Sequence, residues 1–276
     1  MGIAAVERDG VSARKETSDV PHPTSNPVRR KLVGGSLFDV LVFTFLLFAV
    51  SSAKGDAQAD RATVIVGVGA AGEEDFGREF VKWAYLWARA SDQAGAKCVV
   101  TGVGPTNATT DLALLKQALT NEPTNSTAEL WLVLIGHGTF DGKEARFNLR
   151  GPDLSATELA GWLKPFRRPV IVINCASSSS PFIHTLSTPG RVIVTATKSG
   201  YEQNYARFGQ FIATAITDPT ADLDKDGQTS LLEAFIMASR RVAEFYEAEG
   251  RLATETALLD DNGDSQIGRA SCRERV

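Results

Sequence analysis

The chain has 276 residues, 43% hydrophobic and 22% charged, with 33 Asp and Glu against 29 Lys and Arg for a net charge of −4. This is the composition of a globular protein, and it lacks the basic excess of a nucleic-acid binder, so no nucleic-acid partner is expected.

Residues 1–35 are polar, rich in Pro and Ser, and unpatterned. Arg29, Arg30 and Lys31 precede the apolar run Val40 to Val50, and Ala57 to Ala59 follows after small residues. A basic region, a short apolar core and an A-x-A site predict a disordered N-terminus plus signal peptide over 1–59, cleaved after Ala59. The protein is therefore expected to be secreted or periplasmic. The apolar core is too short to span a bilayer comfortably, so no membrane association is expected after cleavage.

Downstream, the hydrophobic period alternates between strand and helix. "ATVIVGV" (62–68) predicts a buried strand, and 73–95 a helix with Phe76, Phe80, Trp83 and Trp87 at helical spacing. "KCVVTGV" predicts a second strand, Asp111 to Leu119 a short helix, and "ELWLVLIG" (129–136) a third strand. "ARFNLRG" suggests a small hairpin. "SATELAGWL" (155–163) opens with Ser155 and has Glu158 three residues on, the spacing of a capping box. "PVIVINC" predicts a fourth strand, "PFIHTL" a short helix, "RVIVTAT" (191–197) a fifth strand, and 205–216 a helix. A final helix begins at "SLLEAF". Ile267 to Val276 reads as the in-frame translation of a sequencing adapter, so 267–276, with Cys272, is set aside. Cys98 and Cys175 then remain, too few for a disulfide framework.

Continuously apolar strands separated by helices predict an α/β fold, a three-layer αβα sandwich with a mainly parallel sheet. It is expected to occupy 60–217, with 218–266 packed on the same domain as a loop and C-terminal helix. In such sheets functional groups gather at the carboxyl ends of strands. The third strand ends "GHGTFDG", presenting His137 between two glycines, and the fourth ends in Cys175 followed by the small residues Ala176 to Ser180. Adjacent strands lie about 5 Å apart, so neighbouring tips can bring an imidazole and a thiol together. A nearby imidazole can generate the nucleophilic thiolate. The small residues after Cys175 would leave room for a substrate carbonyl, and the Gly138 and Cys175 amides could hold an oxyanion. Asp141 could orient His137, although Asp before Gly is usually a turn former. His184 reads as a surface or packing residue.

These two strand ends, with "VIVTATKSGYEQNYARFG" (192–209), resemble the caspase-hemoglobinase fold of clan CD cysteine peptidases, and within it the legumain-like branch. The resemblance covers roughly Thr63 to Ile216. It implies an exported cysteine endopeptidase acting on a peptide or protein substrate, with Cys175 as nucleophile, His137 as catalytic histidine and Gly138 as an oxyanion donor. The chain departs from the legumain pattern in reading Ile-Asn-Cys-Ala-Ser where the family has Glu-Ala-Cys and then Gly-Ser, and it has no evident acidic specificity pocket. Asparagine preference is therefore not implied. The same residues also fit a second class, a catalytically inactive caspase-like calcium-binding scaffold or interaction module.

Two further motifs bear on ligands. Gly67, Gly69 and Gly72 match G-x-G-x-x-G between a strand and a helix. The acidic Glu73, Glu74 and Asp75 that follow would repel a pyrophosphate, and no acidic residue ends the second strand to hold a ribose, so these glycines are read as a tight turn. "DLDKDGQTSLLE" places Asp222, Asp224 and Asp226 at positions 1, 3 and 5 of an EF-hand-type loop, Gly227 at 6 and Glu233 at 12, with Gln228 and Ser230 as the remaining ligands. A structural calcium ion is expected there. "DDNGD" (260–264) begins a second, shorter run of the same kind.

Overall fold

The structure is a computed structural model that describes residues 61–105 and 108–267. The expected signal segment and the adapter-like tail from residue 268 onward lie outside the described residues. The central sheet runs β2-β1-β3-β7-β8-β9, formed by β1 (Thr63–Val68), β2 (Lys97–Thr101), β3 (Leu130–Ile135), β7 (Val170–Asn174), β8 (Arg191–Thr195) and β9 (Leu258–Asp260). All pairings are parallel except β8 with β9, which is antiparallel with Val194 opposite Leu259. A small antiparallel sheet, β4 (Gly138–Phe140), β5 (Ala145–Phe147) and β6 (Leu154–Ser155), stands where a hairpin was expected.

Strand alternation sorts the apolar side chains onto two faces. One face carries Val64, Val66, Val133, Ile135, Ile171 and Ile173. It is covered by α1 (Glu74–Gln93), α5 (Phe208–Ala215) and α6 (Leu231–Ala248). Phe80, Trp83 and Trp87 of α1, Ile212 of α5 and Ala238 of α6 close that layer. The other face carries Ile65, Leu132, Leu134, Val170, Val172 and Ile193. Against it lie α2 (Asp111–Thr120), α3 (Ala156–Leu163) and α4 (Pro181–Leu186). The protein is thus a three-layer αβα sandwich on a mainly parallel sheet. Burying each large apolar side chain stabilises it by about 1.5–3 kcal/mol, which makes these two layers the main source of stability.

Local chemistry sets the ends of the elements. Ser155 Oγ accepts the Glu158 N–H at 3.1 Å, so α3 starts at the expected serine. Glu74 and Asp75 fill the first turn of α1, where negative charge complements the helix dipole. Of the glycines of "GVGAAG", Gly67 lies within β1, and Gly69 and Gly72 follow it in the turn to α1. A Cβ at Gly69 would lie 2.4 Å from the Asn148 carbonyl, and Ala70 N–H donates to that same carbonyl at 2.9 Å. Gly69 thus lets the β5–β6 connection approach the strand end.

Candidate functional site

The tips of β3 and β7 are neighbours, paired in register with Leu134 opposite Asn174, so the elements carrying His137 and Cys175 are adjacent. Both side chains turn to the α1 side of the sheet, but to different depths: His137 is half-buried beside Phe76, Phe80 and Tyr205, and Cys175 is fully buried beside Trp83. Cys175 continues the alternation of Ile171 and Ile173 into the layer of α1, α5 and α6 and is 0% exposed. Above it α5 presents Gly209, where a Cβ would lie 2.9 Å from Cys175 Cβ and 2.8 Å from Trp83 Cζ3. Only a helical glycine allows that approach. Burial pushes the thiol well above the usual cysteine range, and the nearby Glu255 carboxylate pushes it further the same way. The Cys175 N–H donates to the Leu134 carbonyl at 2.9 Å as part of the sheet.

His137 sits in an aromatic box that the sequence reading missed. Its ring meets Phe76 and Phe80 edge-on, both at 5.2 Å between centroids, and Tyr205 at 5.9 Å. Nε2 is 3.1 Å from the Ala71 carbonyl. A carbonyl can only accept, so Nε2 is the donor in this contact. Among the described residues no hydrogen bond joins His137 to the Cys175 sulfur.

The expected oxyanion pocket is filled by the chain itself. Gly138 N–H donates to Ser177 Oγ at 3.2 Å, and the same hydroxyl donates back to the Gly138 carbonyl at 3.1 Å. A Cβ at Gly138 would lie 2.3 Å from the Ser177 carbonyl oxygen and 3.3 Å from Ala176 Cβ. The group beside Gly138 is therefore the Ala176 methyl, because strand alternation turns Cys175 to the opposite side. The expectation of open space after Cys175 is corrected too. Ser177 to Ser180 are all buried. Ser179 Oγ accepts the Ala196 N–H at 3.1 Å and Thr197 Oγ1 accepts the Ser179 N–H at 2.8 Å, tying the run to the end of β8. Ser178 takes φ 56° and donates its N–H to the Glu202 carbonyl at 2.8 Å. The run is short in side chain because it packs under the segment after β8.

Asp141 accepts the Lys143 and Glu144 N–H groups at 2.9 Å each and pairs with Arg146, so it shapes the β4–β5 turn. His184 is exposed on α4.

The acidic loop gathers three of its expected ligands. Asp222, Asp224 and Asp226 bring carboxylate oxygens within 4.8 Å of one another. Gly227 adopts φ 89° and donates to Asp222 Oδ2 at 3.0 Å, while Asp222 Oδ1 is buried without a hydrogen-bond partner. An orphaned carboxylate oxygen facing two more carboxylates suits a hard cation. Glu233 has a different job. Its carboxylate accepts from Ser230 N at 2.8 Å and Leu223 N at 2.7 Å, and Ser230 Oγ accepts the Glu233 N–H at 3.2 Å. This capping box begins α6, and its backbone donors hold the Glu233 carboxyl down at about 2. Gln228 donates its N–H to Asp226 Oδ1 at 2.8 Å. The expected second run starts with Asp260, which ends β9 and is buried, bonded to Ser187 Oγ and to the Gly263 N–H at 2.8 Å.

Fold and strand ends together define a mixed α/β protein whose central sheet presents a histidine and a cysteine at adjacent tips. No family model matches the chain, and no curated protein matches it. Among solved structures it is similar to the Drosophila initiator caspase Dronc, at 14% identity over 75% of this chain and 81% of that one with a TM-score of 0.45. It is also similar to caspase-1 from Spodoptera frugiperda, at 10% identity over 74% and 87% with a TM-score of 0.47.

Proposed function

We propose that this is an exported, non-hydrolytic α/β module of the caspase type, carrying a calcium-organised loop, and not a peptidase acting through Cys175. The observation that carries the reading is the complete burial of the Cys175 side chain in the apolar layer beneath Gly209 and Trp83. A thiol becomes a nucleophile as the thiolate, and desolvation with a carboxylate nearby disfavours that form. The donors an oxyanion would need are engaged, Gly138 N–H by Ser177 and Cys175 N–H by Leu134. The legumain-like sequence pattern supports descent from a peptidase fold. The buried thiol supports its use as a scaffold that presents surfaces to a protein partner. Calcium at Asp222, Asp224 and Asp226 belongs to this reading as a structural ion. So does export past a signal segment ending at Ala59, into a secreted or periplasmic setting.

The test is labelling with an acylating thiol probe, read as the modified Cys175 peptide by mass spectrometry. Cys175 is expected to stay unlabelled in the folded protein and to react fully once denatured. Rapid native labelling of Cys175 that disappears in His137→Ala would restore the peptidase reading with its Cys-His dyad.

A further inference from the structure

At the end of the sheet opposite the His137 and Cys175 tips, where β7 and β8 begin, four cations surround one hollow. Its volume is about 640 Å³, and Lys164, Arg167, Arg168 and Arg191 line it together with Ser187 and Thr188. Small-molecule sites span roughly 300–1,000 Å³, so the space suits an organic ligand better than a lone ion. The Arg191 guanidinium donates to the carbonyls of Leu186 at 3.0 Å and Leu163 at 2.8 Å, at the ends of α4 and α3. Neither Lys164, Arg167 nor Arg191 has an ion-pair partner among the described residues.

Arg168 is the most telling of the four. Its side chain is 1% exposed, Nε and Nη2 donate to the carbonyls of Ala128 and Glu129, and Nη1 is buried with no hydrogen-bond partner. The Glu122 carboxylate stands 3.7 Å from Nη1, and it is already held by Lys97 at 2.6 Å and Thr63 at 2.8 Å. A second carboxylate, Asp260, bonds the lining residue Ser187 through its Oγ and is also engaged by the N–H groups of Gly263 and Ser265. Burial lowers the pKa of both Arg168 and Arg191; the Glu122 and Glu129 carboxylates oppose the shift at Arg168, and no carboxylate opposes it at Arg191. The whole chain carries a net charge of −4, so this concentration of positive charge runs against the molecule's overall balance.

We propose that this hollow binds a small organic phosphate monoester. A carboxylate or sulfate ester brings one negative charge, which would leave the three cations without an ion-pair partner, Lys164, Arg167 and Arg191, largely uncompensated. A phosphate monoester brings close to two charges near neutral pH, and its three terminal oxygens can accept from guanidinium, ammonium and hydroxyl donors at once. Exposed Lys164 and Arg167 form the entrance, and buried Arg168 and half-buried Arg191 lie deeper. The inference does not depend on the state of Cys175.

Isothermal titration of the full chain with phenyl phosphate, using phenyl sulfate as the monoanionic match, tests it. Phenyl phosphate is expected to bind saturably with one site, at least about tenfold tighter than phenyl sulfate, the ratio that a single charge-assisted contact supplies. Lys164→Ala with Arg167→Ala should weaken phenyl phosphate by about tenfold or more without moving the melting temperature, since both side chains are exposed. Arg240→Ala, which removes a charge from the exposed surface of α6, should leave the affinity unchanged. Equal affinity for the two phenyl esters, no saturable binding, or an affinity indifferent to the paired substitution would each overturn the proposal.

Discussion

A thiol and a hydroxyl differ little in size and greatly in what they require when buried. The Cys175 side chain sits in the layer of Trp83, Ile173 and Gly209, with no polar partner for its sulfur among the described residues. In such a place cysteine behaves as a small hydrophobe. Cys175→Ser should therefore cost about 1–3 kcal/mol, the penalty of an unsatisfied buried hydroxyl. Cys175→Ala, which loses the sulfur and adds no polar group, should be the more stable of the two variants in denaturant titration. A serine variant as stable as the native protein would mean that the position is wet. The strand period of two carries this outcome in principle: Ile171, Ile173 and Cys175 share one face and Ala176 takes the other. The sequence does not reveal which face is sealed, because that is decided by Gly209, more than thirty residues away, letting α5 sit on the thiol-bearing carbon. Likewise, nothing local announces that Phe76, Phe80 and Tyr205 converge on His137; the first two read only as a core stripe.

At the scale of elements, the five parallel strands and their covering helices were legible because long apolar runs and helical spacing are strong local signals. The predicted helix over 205–216 begins only at Phe208, and β9 is a strand not expected from the sequence, its last residue Asp260 opening the acidic run 260–264. Both differences have a long-range cause. Glu255, in the segment after α6, accepts the Arg207 N–H at 2.8 Å and the Phe208 N–H at 3.0 Å, so the start of α5 is fixed by a residue far along the chain. β9 exists because β8 offers it an edge, with Thr195 opposite Leu258. The α5–α6 pair is then held at its other end by Asp218, which follows α5, caps the short 3₁₀ turn Pro219–Ala221 and pairs with Arg241 of α6 at 2.6 Å. The Thr220 hydroxyl and then Arg241 hold the Asp218 carboxyl down at about 2. A lowered carboxyl contributes stability that is complete above its ordinary value of 3.8 and is lost as pH falls through about 2. Asp218→Asn should thus cost about 1 kcal/mol near neutral pH, a figure reduced for partial exposure. The deficit should shrink as the native protein is acidified toward pH 2, where the two should converge. Denaturant melts along that pH series would read it, and a deficit independent of pH would assign the effect to lost packing. Glu255 has the opposite sign. Burial raises its pKa, so its contribution is largest below the ordinary glutamate range and declines as pH rises through the raised value.

Across the whole molecule, the acidic loop is where stability and environment meet. Three carboxylates converge just before the helix that closes one side of the sandwich, and one of their oxygens is buried with no hydrogen to accept. Without a cation, this arrangement works against α6 through charge repulsion and the desolvated oxygen of Asp222. On the proposed calcium reading the same oxygens would become ligands, and binding would be linked to folding because the extended chain does not hold them together. A ligand present at a hundred times its Kd stabilises the folded state by about 2.7 kcal/mol. For a domain of this size each kcal/mol moves the melting point by roughly 2–4 °C. Millimolar calcium is therefore expected to raise the melting temperature by several degrees, and chelator to reverse it. Asp224→Asn with Asp226→Asn should abolish the response, because both side chains are exposed and their loss removes charge without opening the core. The effect on stability without calcium should be opposite in sign: relieved of mutual repulsion, the paired variant should melt at or above the calcium-free native protein. If native and variant proteins melted alike with and without the ion, the carboxylate cluster would be only a solvated turn, and α6 would owe its position to the Ser230–Glu233 capping box and its apolar face alone.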